Sequence, residues 1–404
     1  MMLLFFILAM LFILHAQFLI RNIVFGTYES TFFQFTQSYL FDRHIATLSL
    51  LFTVLCAAAF TVSYRYIYGQ RLQPVQLAPV TGNNIDAIMR ICLFFGLTQA
   101  TANFALAYIS GFQYQAMAET LESSAFIFEL RIIFLLCFSY LSLNVAPRTL
   151  WRGHQYRFFR LVVFVYTLSV LVVQSRSRVF ELLAVPIFAY LMWSGDKVRW
   201  RYIGALLIAL TVPNLIVLGR LGMPGSFGAL MSGLFSIEYS VILNNILGGA
   251  IEHRYVVQEP LTFLKSLWLI IPSPVRTLLG IEVIKSEAYD ALVHIADVRN
   301  GGYSMLAEMF QNFGWWSFLV FALMGWIIGW LNKRAFYVGH ADIFAAMAPL
   351  IYTGFILGLR NDFGVFLKFA IQLLLIALFL RVLTPRAALK AVTPASTRSD
   401  SKPK

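Results

Sequence analysis

Charged residues are scarce in this chain. Only 12% of its 404 residues are Asp, Glu, Lys or Arg, whereas 59% are hydrophobic. A soluble domain usually carries about 25% charged residues, so the composition excludes an ordinary soluble protein. Apolar runs of about 17–22 residues recur along the sequence, the length expected of helices that cross a bilayer. The composition therefore predicts an all-α polytopic membrane protein.

Cysteines are few, and the usual signatures of cofactor sites are missing. Cys56, Cys92 and Cys137 lie in apolar segments without metal-ligand spacing, which favours a role as small packing residues. The sequence contains no HExxH, DxD, GxSxG, GxGxxG or P-loop motif, and the predicted cytoplasmic loops are too short for a nucleotide-binding domain. We therefore expect neither cofactor nor metal, and an activated, membrane-borne substrate for any enzymatic reaction.

Ten apolar segments are predicted to span the membrane. They cover residues 3–20, 44–64, 90–111, 127–145, 161–174, 179–194, 203–219, 314–331, 342–359 and 364–382. The first is interpreted as a retained span, because residues 1–20 lack the charged start and the cleavage site of a signal peptide. The spans predict a single transmembrane domain over residues 1–383. Residues 384–404 are predicted to be a disordered cytoplasmic tail.

Basic residues are distributed unevenly between the two sides of these spans. The connections after even-numbered spans, with the tail and the span-end residues Arg90 and Arg381, hold 18 Lys and Arg against 3 acidic residues, and the rest of the chain holds 13 against 16. The positive-inside rule then predicts that both termini are cytoplasmic. The net charge of +12 is explained in this way, and no nucleic-acid partner is expected.

One extracytoplasmic loop is much longer than the others and covers about residues 220–313. It contains two apolar pieces, 227–249 and 261–271, that are too interrupted for ordinary spans. Such pieces predict interfacial or re-entrant helices that cover a cavity. The alternative is that they form two additional spans in a re-entrant hairpin.

Arginines collect on the predicted outer side, against the positive-inside trend. The set consists of Arg176, Arg178, Arg220, Arg254, Arg276, Arg299 and Arg360. A guanidinium presents a planar fork of donors that matches phosphate oxygens, and it keeps its charge when partly desolvated. The set therefore predicts a pyrophosphate-binding site at the outer membrane boundary. The alternative is that each arginine reaches for lipid phosphates or pairs with an acid such as Glu181.

Three stretches of the sequence resemble motifs of the O-antigen polymerases, which are membrane enzymes that join lipid-linked oligosaccharide repeat units. "QSRS" at 174–177 is similar to a Ser-Arg-Gly motif at the outer end of a span, with Ser177 in place of the glycine. "NGGYSMLAEMFQNFGWWSFLVFALMGWIIGWL" at 300–331 is similar to the family's Gly-rich turn, its Ser/Ala-Glu helix and its "NFG" entry to a span. "LRNDFGVFLKF" at 359–369 is similar to the Arg-acid loop before the last span.

This resemblance implies a GT-C-like helical fold and a metal-independent glycosyltransferase. The enzyme would polymerise undecaprenyl-pyrophosphate-linked repeat units of O-antigen or a related surface polysaccharide on the outer face of the bacterial inner membrane. Donor and acceptor would both be such lipid-linked glycans within the membrane lipid, and a chain-length regulator protein would be a further partner. An O-antigen ligase and a lipid-linked oligosaccharide transporter or flippase remain as alternatives.

The residues can be assigned roles in such a transfer. Fixed cations stabilise the charge that develops on the leaving pyrophosphate; we expect this of Arg176, Arg220 and Arg299, and less strongly of the other outer arginines. Glu308 is the candidate general base, with His294 and Glu252 as rivals. Gly301, Gly302 and Tyr303 are expected beside the substrate. Alternatively, Glu308 is a helix-start acid that the helix dipole favours.

Overall fold

A computed structural model describes most of the apolar segments of the chain. The described residues are 2–16, 19–20, 23–24, 42–69, 83–112, 117, 130–173, 176–193, 237–252, 270–271, 275, 278–280, 304–337, 343–360 and 363–383. Within them all regular structure is helical, and no strand occurs there. The predicted all-α class is confirmed for this part of the chain.

The principal helices are numbered here in chain order. They are α1 (Met2–Leu11), α2 (Arg43–Tyr68), α3 (Asn83–Ile109), α4 (Arg131–Asn144), α5 (Pro147–Arg152), α6 (Arg157–Val172), α7 (Arg176–Trp193), α8 (Ile237–Glu252), α9 (Met305–Phe313), α10 (Ser317–Tyr337), α11 (Met347–Arg360) and α12 (Phe363–Leu383). A π-helical turn, Phe12–Ala16, extends α1, and 3₁₀ turns precede α6 (His154–Tyr156) and α10 (Gly314–Trp316).

Five helical segments of the described residues are long and apolar enough to cross a membrane. They are Arg43–Tyr68, Ile85–Ile109, His154–Val172, Met305–Ala335 and Phe363–Val382, and shorter apolar helices occupy Ile7–Ala16, Arg131–Asn144 and Met347–Leu359. This is the architecture of a helical membrane protein. The count of ten spans stays a prediction, since the expected span at 203–219 lies outside the described residues.

The closest helix pair is α2 with α10. A Cβ on Gly325 would lie 2.3 Å from the backbone oxygen of Phe60, and one on Gly329 would lie 3.0 Å from that of Tyr64. Two glycines four residues apart thus let the two backbones approach, as small residues do between membrane helices. The Tyr64 hydroxyl then accepts hydrogen bonds from Asn332 Nδ2 at 2.5 Å and from the Tyr352 hydroxyl at 3.1 Å, which ties α11 to this pair.

Helices α3, α6 and α7 form a second group with α4. Helix α4 packs against α3 and α7, and α3 also packs along α6. Helix α11 joins the two groups: Phe188 of α7 contacts Tyr352, with ring centres 5.6 Å apart, and Ser139 of α4 donates a 2.7 Å hydrogen bond to the carbonyl oxygen of Ala346, just before α11 begins. The cysteines Cys56, Cys92 and Cys137 are buried and free.

Two helices lie within the segment predicted to be the long extracytoplasmic loop. Helix α8 packs against α2, α9 and the π-helical turn. Its buried residues include Leu243, Leu247 and Ala250. Helix α9 leads through the 3₁₀ turn into α10, so the helical segment begins at Met305 and not at the expected residue 314. Both helices therefore belong to the packed bundle.

Candidate functional site

A chain of buried polar side chains joins three helices at one end of the second group. Arg178, in the first turn of α7, is only 4% exposed. Its Nη1 donates to Asn103 Oδ1 of α3 at 3.0 Å. Asn103 Nδ2 donates to Ser169 Oγ of α6 at 3.0 Å, and this hydroxyl donates to the backbone oxygen of Tyr166 at 2.7 Å. A cation is thus fixed inside the protein, where an ionisable group is costly unless it is partnered.

An ion pair lies beside this chain. Arg131 Nη2, from the first residue of α4, is 3.5 Å from Glu181 Oε1 of α7. The side chain of Glu181 is 6% exposed and that of Arg131 20% exposed. Arg131, Arg178 and Glu181 all interact electrostatically with Tyr166, so the six polar residues form one arginine cluster: Asn103, Arg131, Tyr166, Ser169, Arg178 and Glu181.

The Glu308 carboxylate lies in a second place, between α9 and α12. Glu308 is 1% exposed, and its Oε2 accepts a 2.5 Å hydrogen bond from the backbone amide of Phe363, the first residue of α12. Glu308 is also in the first turn of its own helix. The carboxylate therefore faces the positive ends of two helix dipoles and satisfies an amide at the start of the second.

Side chains stabilise the helix break between α9 and α10, which follows Glu308. Gly314 has φ +55°, a conformation that suits glycine. Asn312 Nδ2 donates to the carbonyl oxygen of Glu308 at 2.7 Å, and Ser317 Oγ lies 2.8 Å from that of Met309. These side chains add contacts to carbonyl groups in the last turns of α9, which continues to Phe313. The helix break at Gly314 is therefore stabilised by the local sequence "EMFQNFGWWS".

The end of the first helix meets the same region. His15 Nε2 lies 3.3 Å from the carbonyl oxygen of Leu359, near the end of α11. Asn244 of α8 donates to the carbonyl oxygens of Leu14 and His15 at 3.3 and 3.2 Å. The π-helical turn shifts the hydrogen-bond pattern there, and Asn244 supplies partners from a distant part of the chain. Polar groups of α1, α8 and α11 thus meet at one end of the bundle.

The predicted topology puts the arginine cluster and this second region on the same side of the bundle. The start of α7, with Arg178, and the end of α11, with Leu359, are both predicted to lie on the extracytoplasmic side. Phe188 lies almost three helical turns beyond Arg178 along α7 and contacts Tyr352 in the half of α11 remote from Leu359, which agrees with this orientation.

The structure places only part of the predicted site. Glu308 and Arg178 are buried as described, whereas Glu252 is the exposed last residue of α8. Arg176 begins α7 and Arg360 ends α11, and their side chains lie outside the described part. Outside it entirely are Arg220, Arg254, Arg276, Arg299, His294, Gly301, Gly302 and Tyr303.

Two of the sequence interpretations are refined by these contacts. Glu181 is predicted to pair with Arg178, but the ion pair described for Glu181 is with Arg131. Arg131 lies inside the predicted span 127–145, and no role is predicted for it from the sequence. The alternative role of Glu308 as a helix-start acid is confirmed, and it extends to a neighbouring helix. His15, Asn103 and Asn244 were also missed. Their signal is a polar side chain within an apolar run, which in membranes usually marks function or interhelical contact.

An apolar groove runs along the membrane-facing side between α1 and α2. Its volume is about 420 Å³, and residues of both helices line it, among them Leu8, Phe12, Val54, Ala58 and Val62. The groove also includes Ala16, the residue that follows His15 in the chain. The groove is therefore continuous with the polar end of α1.

Comparisons of the chain with protein-family models, with curated proteins and with solved structures gave no significant match.

Proposed function

We propose that the chain is a glycosyltransferase of the O-antigen polymerase type, which joins undecaprenyl-pyrophosphate-linked oligosaccharide repeat units. The observation that carries this proposal is the hydrogen bond between Glu308 and Phe363. It joins two of the three stretches on which the resemblance rests, 300–331 and 359–369, through residues that are 55 positions apart in the sequence.

The third stretch supports the same assignment. "QSRS" ends at the start of α7, so Arg176 begins a helix whose first turn also contains the buried Arg178. The link from Arg178 to Asn103 and Ser169 fixes this end of α7 against α3 and α6. In the proposal Arg178 positions the helix start, and Arg176 binds the pyrophosphate.

The proposed reaction is a direct transfer. A hydroxyl of the acceptor glycan attacks the anomeric carbon of the donor, the bond from that carbon to the pyrophosphate oxygen breaks, and undecaprenyl pyrophosphate leaves with the electron pair. Arg176, with Arg220, Arg299 and the weaker candidates, stabilises the charge that grows on the leaving oxygen. A general base, with Glu308 as first candidate, takes the proton of the hydroxyl. The proposal requires neither metal nor cofactor.

The location follows from the same reasoning. The polar ends of the helices face the predicted outer side, so the active site would face the periplasm from the bacterial inner membrane. The groove between α1 and α2 offers an apolar surface to a polyprenyl tail. A chain-length regulator would be a protein partner of the assembled system.

The decisive experiment uses the purified protein in lipid nanodiscs with a defined undecaprenyl-pyrophosphate-linked repeat unit. We expect a ladder of products that differ by one repeat. A single transfer to added lipid A core and no ladder would assign a ligase. Movement of the lipid-linked unit across a vesicle membrane without new glycosidic bonds would assign a transporter, and either result would overturn the proposal.

A further inference from the structure

Two arginines from different helices converge on one aromatic ring at the opposite end of the bundle. The guanidinium carbon of Arg334, in the last turn of α10, lies 5.6 Å from the centre of the Phe344 ring, and that of Arg381, in the last turn of α12, lies 5.1 Å from it. Arg334 also lies 5.3 Å from the ring centre of Trp330. Cation–π contacts of this kind fix the direction of both side chains.

Helix dipoles alone do not account for this arrangement. A cation at the C-terminal end of a helix is favoured by the dipole, and both arginines have that position. The dipole does not require two like charges from separate helices to turn towards one ring. Phe344 lies in the turn before α11, and both guanidinium groups lie within cation–π distance of its ring, so two positive charges from different helices share one aromatic neighbour.

The surface beside these arginines is apolar and exposed. On α10, Trp326 and Trp330 are 44% and 41% exposed; on α12, Leu378 and Phe379 are 45% and 60% exposed. In a helical membrane protein such side chains face lipid tails, and tryptophans near helix ends lie at the headgroup level. The pair therefore combines two guanidinium groups, which suit phosphate oxygens, with exposed apolar side chains on the same two helices.

We infer that Arg334 and Arg381, held over Phe344, bind the phosphate of an anionic phospholipid whose acyl chains lie along the exposed faces of α10 and α12. Basic pockets between membrane helices on the cytoplasmic side suit such headgroups, and the predicted orientation puts this end of the bundle on that side. The site is separate from the proposed glycosyl transfer, so the test of lipid binding does not depend on that reaction.

The test is native mass spectrometry of the detergent-purified full chain, titrated with phosphatidylglycerol. We expect saturable binding to the wild type, and about 25-fold weaker binding to the double variant Arg334→Gln with Arg381→Gln, at roughly fivefold for each arginine. Arg157→Gln is the matched control. Arg157 lies on the same side of the bundle, 4.8 Å over the ring of its neighbour Phe158, and its loss should leave binding unchanged.

Two further titrations distinguish a lipid headgroup with its acyl chains from a neutral lipid and from a free phosphate ester. Phosphatidylcholine with the same acyl chains should bind more weakly than phosphatidylglycerol, and glycerol phosphate should not compete at equal concentration. If the double variant does not fold, the single variant Arg381→Gln serves, because this side chain is exposed; about fivefold weaker binding is then expected. Unchanged binding in these variants, an equal loss in Arg157→Gln, or effective competition by glycerol phosphate would overturn the inference.

Discussion

Arg178 of α7 donates a 3.0 Å hydrogen bond to Asn103 of α3, a residue 75 positions away in the chain. Both side chains are buried. The asparagine oxygen accepts from a charged group that membrane lipid cannot solvate. The amide nitrogen of the same asparagine donates to Ser169 of α6. The bond therefore determines how three helix ends fit together.

Replacement of Asn103 should expose the dependence of this helix end on one acceptor. We expect Asn103→Ala to lower the free energy of unfolding by about 2–3 kcal/mol, because a buried charged donor loses a partner. Chemical unfolding of the purified protein in mixed micelles measures this. Thr101→Ala, on the exposed face of the same helix, is the control and should be nearly neutral. Equal stability of the two variants would contradict the role given to Asn103.

The ion pair between Arg131 and Glu181 should show strong coupling. Loss of one member leaves a buried charge without its counter-ion, so we expect Arg131→Met and Glu181→Leu each to cost about 3 kcal/mol. The double variant should cost clearly less than the sum, since neither charge then remains. A double-mutant cycle measured by unfolding in micelles gives the coupling. Additive effects would mean that the 3.5 Å contact contributes no stability.

The two glycines of α10 should differ in their tolerance of a methyl group. A Cβ on Gly325 would lie 2.3 Å from a backbone oxygen, and one on Gly329 would lie 3.0 Å from another. We expect Gly325→Ala to destabilise the protein by about 1–3 kcal/mol through overpacking, and Gly329→Ala to do so less. Thermal unfolding tests the order. Leu323→Ala, on the exposed face of α10, is the control, and the reverse order of the glycine variants would refute the close approach of α2 and α10.

Arg176→Lys tests the proposed pyrophosphate contact. Lysine keeps the charge but cannot make a bidentate contact, so we expect the polymerisation rate to fall by about 10²–10³ while the protein accumulates normally in the membrane. The ladder assay gives the rate, and Arg157→Lys is the matched control. A normal amount of full-length polymer from Arg176→Lys would remove Arg176 from the site.

Glu308→Gln separates the two roles of this residue. Glutamine keeps a carbonyl oxygen that can accept from the Phe363 amide, but it cannot take a proton from a sugar hydroxyl. If Glu308 is the general base, stability should stay close to wild type and turnover should fall by about 10²-fold or more. Unchanged turnover with purified lipid-linked substrate would leave Glu308 only its structural role between α9 and α12.

The sequence predicted the helical class of the described residues and the positions of the five helices there that are long and apolar enough to cross a membrane, because long apolar runs are a direct consequence of the bilayer. Helix ends were predicted less well. The 83–109 helix begins seven residues before the expected span, and α9 was placed in a loop, since hydropathy does not register polar first turns or a kink such as that at Gly314.

The partners of polar residues could not be predicted from the sequence. Arg178 is nearer in sequence to Glu181 than to Asn103, and yet its described hydrogen bond is to Asn103. Local spacing determines which residues share a helix face, but it does not determine which distant helix meets that face. The contacts of Glu308 with Phe363 and of Asn244 with His15 could not be predicted for the same reason, since each joins two helices that are distant in the sequence.

The contact between Asn244 and the end of the first helix has a consequence for synthesis of the protein. Asn244 is about 230 residues from Leu14, and Leu359 is 344 residues from His15. The segment with Leu14 and His15 is therefore synthesised long before the residues that its polar groups contact. Helix α1 remains in the bilayer without these partners until the later helices are inserted, so a ribosome that stops before residue 359 leaves α1 without its contact to α11.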